Sequence, residues 1–484
     1  MKSAAKNKYR VVIGLEVHAQ LLTRSKIFAW DSTAFGQKPN TNITPITLGH
    51  PGTLPRLNKQ AVEYAMKMGL ACHSEISRFN IFDRKNYFYP DLPKGYQITQ
   101  DKTPICLGGY VKIKTEKEEK EVRLHKIHLE EDAGKSIHTA DNNDTLVDLN
   151  RAGVPLIEIV TEPDMDNSDQ AAAFLTEVRK MVRYLDICDG NMEEGSLRCD
   201  ANISIMLKDA TKLGNKVEVK NMNSIKNVQK AIDHEISRQI ALKEAGHEIV
   251  SETRLFDANT ITTHSMRSKE QLTDYRYFPE PDLSPLIISD EWLESVKANM
   301  PAMPEELLQE LLGDFQLPEY DAAFISESKE MVTYFKAACQ HNAEPKKVAN
   351  WLMGPIQSWL NEQSCTITSF PVSPEKLAQL ITLVDSGKVS FSAANQHIFP
   401  QLLANPEAVC HQIAEQMNLV QESNTSSIQP MINQVLDKFP DKVKEYKKGK
   451  KGLIGMFMGE VMKLSRGKAD PKLTNQLLRQ SLES

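Results

Sequence analysis

Three polar side chains alternate with apolar residues in one segment near the N-terminus. Glu16, His18 and Gln20 recur at a period of two, which predicts a half-buried β-strand with all three on one face. A carboxylate and an imidazole that point the same way can share a metal ion. A strand with one solvated polar face shows the same pattern, so this segment alone leaves both interpretations open.

Two other strand-like segments supply further carboxylates. Glu158 lies in an apolar run that is typical of a buried strand, where a carboxylate usually needs a cation. Consecutive acids follow shortly after His128, although an exposed acidic strand end would look the same. Oxygen ligands with one imidazole suit Mg²⁺ or Mn²⁺ better than a structural zinc. A bulge would reset the strand periodicity, so the pattern does not decide between Glu130 and Glu131 as a ligand.

A proline-bounded aromatic segment, 83–96, brings cations and stacking rings together. Its two prolines exclude a regular helix. We expect a loop that presents Lys85, Tyr87, Tyr89 and Lys94 to a nucleotide or to the end of a nucleic acid. On composition alone, a tyrosine-rich loop that packs on its own core is an equal alternative.

Two more strands, predicted over 197–206 and 216–220, carry polar residues at every second position. If the strands pair, these residues form one polar sheet surface, which either lines a cleft or simply faces solvent. The residues concerned are Arg198, Asp200, Asn202 and Ser204 on the first strand and Lys216, Glu218 and Lys220 on the second.

These candidate residues need a sheet to position them, and the first part of the sequence predicts one. Helices are predicted over 168–185, with Ser168 as N-cap, and over 224–245. The rest of the chain shows helical apolar spacing almost throughout. The predicted fold class is therefore α+β, a cradle of mostly antiparallel sheet with helices, followed by an all-helical domain and a small helical C-terminal tail domain. We place these three domains at 1–294, 295–405 and 406–484.

The chain of 484 residues is long enough for two or more domains. Its formal net charge of -6 does not by itself indicate a binding partner. A nucleic acid would have to bind a local basic patch, which the C-terminal part offers, although a solvated lysine run is the commoner explanation of such a patch. The candidate phosphate contacts are Lys447, Lys448, Lys450, Lys451, Lys463, Arg466 and Lys468.

Several classes of protein are disfavoured. The seven cysteines include no C-x-x-C pair, which argues against a disulfide framework and against a cysteine-rich zinc site. No apolar run resembles a signal core or a membrane span, so we expect a cytoplasmic protein without a membrane partner. The sequence also lacks a Walker loop, a dinucleotide-binding glycine motif and a nucleophile elbow.

Several long motifs, taken in order, resemble the B-subunit family of the tRNA-dependent amidotransferases. The resemblance spans nearly the whole chain. In this sequence the motifs read GLEVHAQL at 14–21, DRKNYFYPDLPK at 83–94, SLRCDAN at 196–202, EVKNMNS at 218–224, DYRYFPEPD at 274–282, GMFMGEVMK at 455–463 and RGKADP at 466–471.

The resemblance implies a subunit of an ATP-dependent amidotransferase, a carbon–nitrogen ligase with glutamine as amido donor. Such a subunit phosphorylates the side-chain carboxylate of Glu on tRNA(Gln) or of Asp on tRNA(Asn), and ammonia then displaces the phosphate. An amidase-type A subunit releases the ammonia from glutamine, and a small C subunit completes a heterotrimer. No residue in the sequence distinguishes the Glu substrate from the Asp substrate.

The resemblance also implies ATP and Mg²⁺ as cofactors and roles for individual residues. The metal ligands would be Glu16, His18, Glu131 and Glu158, and catalysis would involve Glu16, His18 and Lys85. ATP or the aminoacyl end of the tRNA would bind Tyr87, Tyr89, Asp91, Lys94, Lys220 and Arg267. The basic residues of the C-terminal part would bind the tRNA.

One departure from the family concerns zinc. Many members carry two cysteine pairs near the N-terminus, but the corresponding positions here are Ala29, Asp31, Thr44 and Thr47. These side chains cannot rebuild a four-thiolate site, so we expect no structural zinc.

Two other functions stay open on the sequence alone. One is a tRNA-binding scaffold without chemistry of its own. The other is a metal-dependent phosphotransferase that acts on a small molecule, which would leave the basic C-terminal part unexplained.

Overall fold

The computed structural model describes residues 8–138, 144–268, 275–420, 425–465 and 469–483. Contacts within the chain define two compact units, Met1–Pro304 and Glu305–Ser484. The candidate residues that precede the basic C-terminal part all belong to the first unit.

The first unit contains the strands of the described chain and four of its helices. The strands are β1 Tyr9–Gln20, β2 Glu75–Ile76, β3 Phe79–Asn80, β4 Asp83–Asn86, β5 Tyr96–Thr99, β6 Cys106–Leu107, β7 Tyr110–Lys114, β8 Glu119–Glu131, β9 Lys135–His138, β10 Thr145–Asp148, β11 Pro155–Thr161, β12 Leu197–Leu207, β13 Val217–Lys220, β14 Glu252–Asp257, β15 Thr262–Ser268, β16 Arg276–Pro279 and β17 Leu286–Ile287. The helices are α1 Lys59–Ala71, α2 Ser168–Tyr184, α3 Ile225–Glu244 and α4 Asp290–Ala298.

Most strands join one sheet in the order β15-β14-β13-β12-β1-β11-β8-β6-β2, and β7 pairs with β8. Every pair in it is antiparallel except β13 with β14. Strand β1 is central, with β12 on one side and β11 on the other. The two strands predicted near 197–206 and 216–220 are present and pair with each other, as β12 with β13.

The two faces of this sheet differ in polarity because successive side chains of a strand point to opposite sides. Val17, Ile157 and Ala201 are fully buried on one face, in the same hydrophobic cluster as Phe174 of α2 and Ile232 of α3. Most of their neighbours along the strands are polar and lie on the other face. The helices therefore cover one side of the sheet and leave the polar residues together on the opposite side.

The N-cap residue of helix α2 lies one position earlier than the sequence predicts. The N-cap is Asn167, whose Oδ1 accepts a hydrogen bond from the backbone N–H of Gln170 at 2.9 Å. Ser168 is the first helical residue, and its hydroxyl donates to Asp233 Oδ1 at 2.8 Å. Both residue types are good caps, and the serine is used instead to join α2 to α3.

A second sheet in the first unit has the order β16-β4-β5. Its central strand β4 corrects the prediction of a loop over 83–96, because Asp83–Asn86 pairs along its length with Arg276–Pro279 and with Tyr96–Thr99. Lys85 lies opposite Tyr277 in one neighbour and Gln97 in the other. Only the middle of the predicted loop is irregular. The shorter strands β9 with β10 and β3 with β17 form separate pairs.

The second unit is helical over its described residues. Its α-helices are α5 Pro304–Gly313, α6 Glu319–Ile325, α7 Lys329–Gln340, α8 Pro345–Trp351, α9 Gln357–Gln363, α10 Pro374–Asp385, α11 Phe391–Ala393, α12 Phe399–Ala404, α13 Cys410–Gln416, α14 Thr425–Lys438, α15 Pro440–Lys447, α16 Ile454–Leu464 and α17 Pro471–Glu483. Ile428, Phe457 and Leu478 are fully buried in a small core that α14, α16 and α17 share.

The predicted α+β fold class, sheet with helices first and helices afterwards, is confirmed. No helix within the described ranges combines the length and the apolar content that a bilayer crossing requires.

Candidate active site

The polar face of the large sheet collects charged side chains from five adjacent strands. We call this surface the polar face. It comprises Glu16, His18 and Gln20 of β1, Glu158 of β11, His128 and Glu130 of β8, Arg198, Asp200 and Asn202 of β12, and Glu218 and Lys220 of β13.

Two imidazoles and two carboxylates interlock at the centre of this face. His18 Nε2 lies 3.3 Å from Glu158 Oε2 and 3.6 Å from Glu130 Oε1. His128 Nε2 lies 3.4 Å from Glu158 Oε2 and 3.7 Å from Glu130 Oε2. The register explains the contacts, because Glu158 lies opposite both His18 and His128. We call these four residues the histidine–glutamate cluster.

The cluster is largely shielded from water, and its charges stabilise each other. Burial alone would lower the pKa of His18, but the hydrogen bond to Glu158 and the charges of Glu158 and Glu130 raise it to about 9. Burial would raise the pKa of Glu158, but the two histidines hold it well below its usual range. The site therefore favours a positive charge placed among its carboxylates.

The cluster has the donor set of a divalent cation site. One ligand atom each from His18, Glu130 and Glu158 can lie within 4.8 Å of the others. Hard carboxylate oxygens with an imidazole suit Mg²⁺ or Mn²⁺. The buried Nδ1 of His128 has no hydrogen-bond partner in the described part of the chain. No hydrogen bond at this nitrogen therefore fixes the orientation of the ring. These residues fit the magnesium that the sequence resemblance implies.

The predicted ligand Glu131 needs correction, because its side chain leaves the strand on the other side. Its Oε1 and Oε2 accept hydrogen bonds from Lys94 Nζ at 2.5 and 2.7 Å, and Oε1 also accepts from the backbone N–H of Ile98. Glu130 belongs to the cluster instead, because it lies two residues after His128 and therefore on the same face of β8. Strand β8 is regular at this point, so counting by twos from His128 would have selected Glu130.

The predicted ligand Glu16 lies in a neighbouring acidic group rather than in the cluster. Glu16, Asp200 and Glu218 bring their carboxylates together, and Lys220 Nζ lies 2.6 Å from Asp200 Oδ2 and 3.0 Å from Glu218 Oε1. Asn202 Nδ2 donates to Glu16 Oε1 at 2.8 Å. Burial, and then the charges of Glu158 and Glu218, raises the pKa of Glu16. The ammonium of Lys220 thus forms ion pairs with two of the three acids.

Lys85 of β4 and Tyr87, which follows β4, lie close enough to the histidine–glutamate cluster to interact with the charge of Glu130. Burial alone would lower the pKa of Lys85, but the nearby acids and tyrosines, Glu130 first, together raise it. Burial, and then the charge of Glu130, raises the pKa of Tyr87 far above its ordinary value. Lys85 Nζ lies 4.7 Å from the ring centre of Tyr275, which also contacts the ring of Tyr87. The structure thus brings a cation and two rings beside the cluster.

The remaining predicted contacts are more dispersed. Tyr89 is half exposed, Asp91 accepts a backbone hydrogen bond from Gly134 through its carbonyl oxygen, and Lys94 is paired with Glu131. The side chain of Arg267 lies outside the described part of the structure. In the second unit Lys447, Lys448, Lys450, Lys451 and Lys463 are exposed, while Arg466 and Lys468 lie outside the described residues.

The positions that correspond to zinc-binding cysteines in related sequences form a hydrogen-bonded group instead. The hydroxyls of Thr44 and Thr47 both donate to Asp31 Oδ2. The ammonium of Lys26 lies 4.0 Å from the same oxygen and donates to the backbone carbonyl of Asn42 at 2.7 Å. One carboxylate, two hydroxyls and a nearby cation do not fit a structural zinc. No spacing pattern in the sequence connects Lys26 with these positions.

Comparison with known proteins assigns the chain to a family. A family model described as the GatB/GatE catalytic domain matches residues 11–294, and a second, described as the GatB domain, matches residues 333–482. The chain belongs to the GatB/GatE family. All members of the polar face lie within the part that matches the GatB/GatE catalytic domain.

Similarity to individual relatives of the GatB/GatE family extends over nearly the full length. A protein of Geotalea daltonii is 49% identical over 480 residues, 98% of this chain and 100% of that relative. One from Thermodesulfovibrio yellowstonii is 46% identical over 471 residues, 97% of this chain and 98% of the relative. Both relatives are named as the B subunit of an aspartyl/glutamyl-tRNA(Asn/Gln) amidotransferase.

Proposed function

We propose that this chain is the B subunit of a glutamine-hydrolysing, tRNA-dependent amidotransferase and contains its kinase and transamidation site. The relatives' shared name supports the reaction. The observation that carries the site is the histidine–glutamate cluster, which lies on the polar face and interacts with the charge of Lys85.

The proposed reaction has two steps. A side-chain carboxylate oxygen of Glu-tRNA(Gln) or Asp-tRNA(Asn) attacks the γ-phosphorus of ATP, and ADP leaves, which gives an acyl phosphate. Ammonia then attacks the acyl carbon, inorganic phosphate leaves, and the nitrogen loses a proton to give the amide. The attacking carboxylate is already ionised near neutral pH, so the first step needs charge neutralisation and alignment more than a general base.

The residues of the cluster would hold the magnesium ion. His18, Glu130 and Glu158 are its proposed ligands, and a bound divalent cation supplies neutralisation of the charge on the phosphoryl oxygens. Lys85 would attract phosphate oxygens beside the cluster, and Tyr87 would pack against ATP or the terminal adenosine. Glu16 and Lys220 lie at the side of the cluster and would contact the reactants there, with Arg267 as a further cation.

The partners follow from the chemistry. An A subunit would release ammonia from glutamine, and a C subunit would complete a heterotrimer. Water must be kept from the acyl phosphate, so the ammonia has to arrive from a docked partner. We also propose that the exposed lysines of the C-terminal part contact the tRNA phosphates and that the complex works in the cytoplasm.

The test is ATP- and glutamine-dependent amidation of Glu-tRNA(Gln) and Asp-tRNA(Asn) by the chain with its A and C partners. We expect His18→Ala and Glu130→Gln to reduce kcat/KM by about 100-fold or more, because both remove groups that hold the reacting charges. The same variants should lose ATP cleavage that depends on the charged tRNA.

His125→Ala is the matched control. His125 lies on the same strand β8, but it is largely exposed and pairs with Glu162 at 3.1 Å, outside the cluster. We expect this variant to keep wild-type amidation. If His18→Ala and Glu130→Gln also amidate at the wild-type rate while they bind tRNA, the chain is a tRNA-binding scaffold and its cluster is structural.

A further inference from the structure

Arg198 occupies a position on the polar face to which the proposed reaction assigns no role. It lies on β12, directly opposite His18 in the register with β1. Its charge lowers the proton affinity of His18, and Glu130 and Asp200 are among the acids that raise the pKa of Arg198 itself. The guanidinium lies beside the histidine–glutamate cluster, at the end of the polar face where Gln20 and Asp132 meet.

One buried carboxylate anchors this guanidinium. Arg198 Nη2 donates to Asp132 Oδ1 at 3.1 Å, and Asp132 also accepts from Gln20 Nε2 at 2.8 Å. Asp132 is 5% exposed in its side chain, whereas Arg198 is 32% exposed. The anchor is thus fixed inside the protein, while part of the guanidinium stays accessible.

The hydrogen-bonding capacity of Arg198 is mostly unused. A guanidinium has five N–H donors in a planar fork, and in the described ranges Asp132 is the one group that accepts from Arg198. Arg151, the other arginine beside Asp132, is different. Its Nε donates to the carbonyl of Ala133 at 2.9 Å and its Nη2 donates to that of Gly134 at 2.6 Å.

Two lysines on or near the polar face already have ion-pair partners. Lys220 bridges Asp200 and Glu218, and Lys94 binds both oxygens of Glu131. Arg198 therefore combines a fixed anchor, partial exposure and free donors beside the proposed metal ligands. A planar fork of this kind matches the two oxygens of a carboxylate or of a phosphate.

We propose that Arg198 binds an oxyanion of one of the two reactants, either the side-chain carboxylate that is to be amidated or a phosphate group of ATP. This inference rests on the proposed function. Asp132 would be a positioning residue, because it holds the guanidinium without touching the reactants.

The experiment measures kcat and KM for ATP and for the charged tRNA separately, in the complete complex. A charge-assisted, two-pronged contact is worth about tenfold to hundredfold in affinity. Arg198→Ala should raise the KM of one reactant by that factor. A raised KM for the charged tRNA assigns the carboxylate, and a raised KM for ATP assigns the phosphate. Arg198→Lys keeps the charge without the fork and should recover only part of the loss.

Arg151→Ala separates contact with a reactant from neutralisation of Asp132. This variant also removes a positive charge next to Asp132, but the Nε and Nη2 of Arg151 donate to backbone carbonyls. We expect its KM values to equal those of the wild type even if its melting temperature falls. Equal KM effects from Arg151→Ala and Arg198→Ala would overturn the inference.

The wild-type complex and His18→Ala keep the two proposals distinguishable. If the wild-type complex fails to amidate, the proposed function fails. If it amidates, His18→Ala does not, and both Arg198 variants match the wild type in kcat and in both KM values, only the inference about Arg198 is overturned.

Discussion

Single residues of the first unit gain their chemistry from the charges that face them. Glu158 is shared by two histidines, and Glu130 contacts the same pair. Alternation of positive and negative groups lets four titratable side chains coexist with little water. Opposite charges are also buried together at Lys26, whose ammonium lies beside Asp31.

Lys26 predicts a pH dependence of stability. Burial lowers the pKa of Lys26 from 10.5 to about 8, although Asp31 opposes the shift. Between these values the unfolded chain binds a proton that the folded chain has released, so the contribution of Lys26 to stability rises with pH. We expect the free energy of unfolding of the wild type, relative to Lys26→Met, to increase by about 2 kcal/mol from about pH 8 to about pH 10.

The measurement is urea unfolding of both proteins at several pH values, followed through the transition of the first unit. Other titrating groups are common to the two proteins, so their difference isolates Lys26. A difference that stays constant over this range would show that Lys26 keeps its ordinary pKa in the folded chain.

At the scale of elements, the alternation of side chains made much of the site predictable. The period of two placed Glu16, His18 and Gln20 on one face, and it united Arg198 with Asp200 and Asn202 on another strand. The alternation did not decide which of two adjacent residues, Glu130 or Glu131, lies on the same face as His128. It also could not pair β4 with β16, because the two segments are distant in sequence and the loop composition of 83–96 hid a strand.

The cap of helix α2 predicts a stability difference at a single position. Asn167 is expected to stabilise the helix through its bond to the N–H of Gln170, so Asn167→Ala should lower the free energy of unfolding by about 1 kcal/mol. Asn167→Ser is the matched control, because serine caps nearly as well and should cost much less. Urea unfolding of the three proteins measures both effects, and equal stability of the Ala and Ser variants would contradict the assignment of the cap.

At the scale of the whole molecule, the charge is distributed unevenly. The formal net charge is -6, yet lysines recur through the C-terminal part. Some have acidic neighbours, as Lys450 has Glu445 at 3.1 Å, and these contacts lie at exposed sites where ion pairs contribute little. A polyanion can therefore displace them.

This distribution predicts where salt acts on tRNA binding. Replacement of four exposed lysines by alanine should weaken binding and reduce the slope of log affinity against log salt concentration by about 3, if each contacts one phosphate. The lysines to be replaced are Lys447, Lys448, Lys450 and Lys451. A control with four exposed lysines of the first unit should change the slope little, and it consists of Lys102, Lys117, Lys208 and Lys212. Filter binding at several salt concentrations measures both, and identical slopes for the two variants would argue against a tRNA contact in the C-terminal part.

The central position of β1 in the large sheet also constrains how the protein is made. The strands that flank it, β11 and β12, begin at Pro155 and Leu197. At ordinary ribosomal speeds, β1 leaves the exit tunnel on the order of ten seconds before its first neighbour is synthesised. During that interval the apolar side of the strand lacks the partners that bury it in the folded protein. The cluster around His18 can consequently assemble only after Glu158 of β11 has been synthesised.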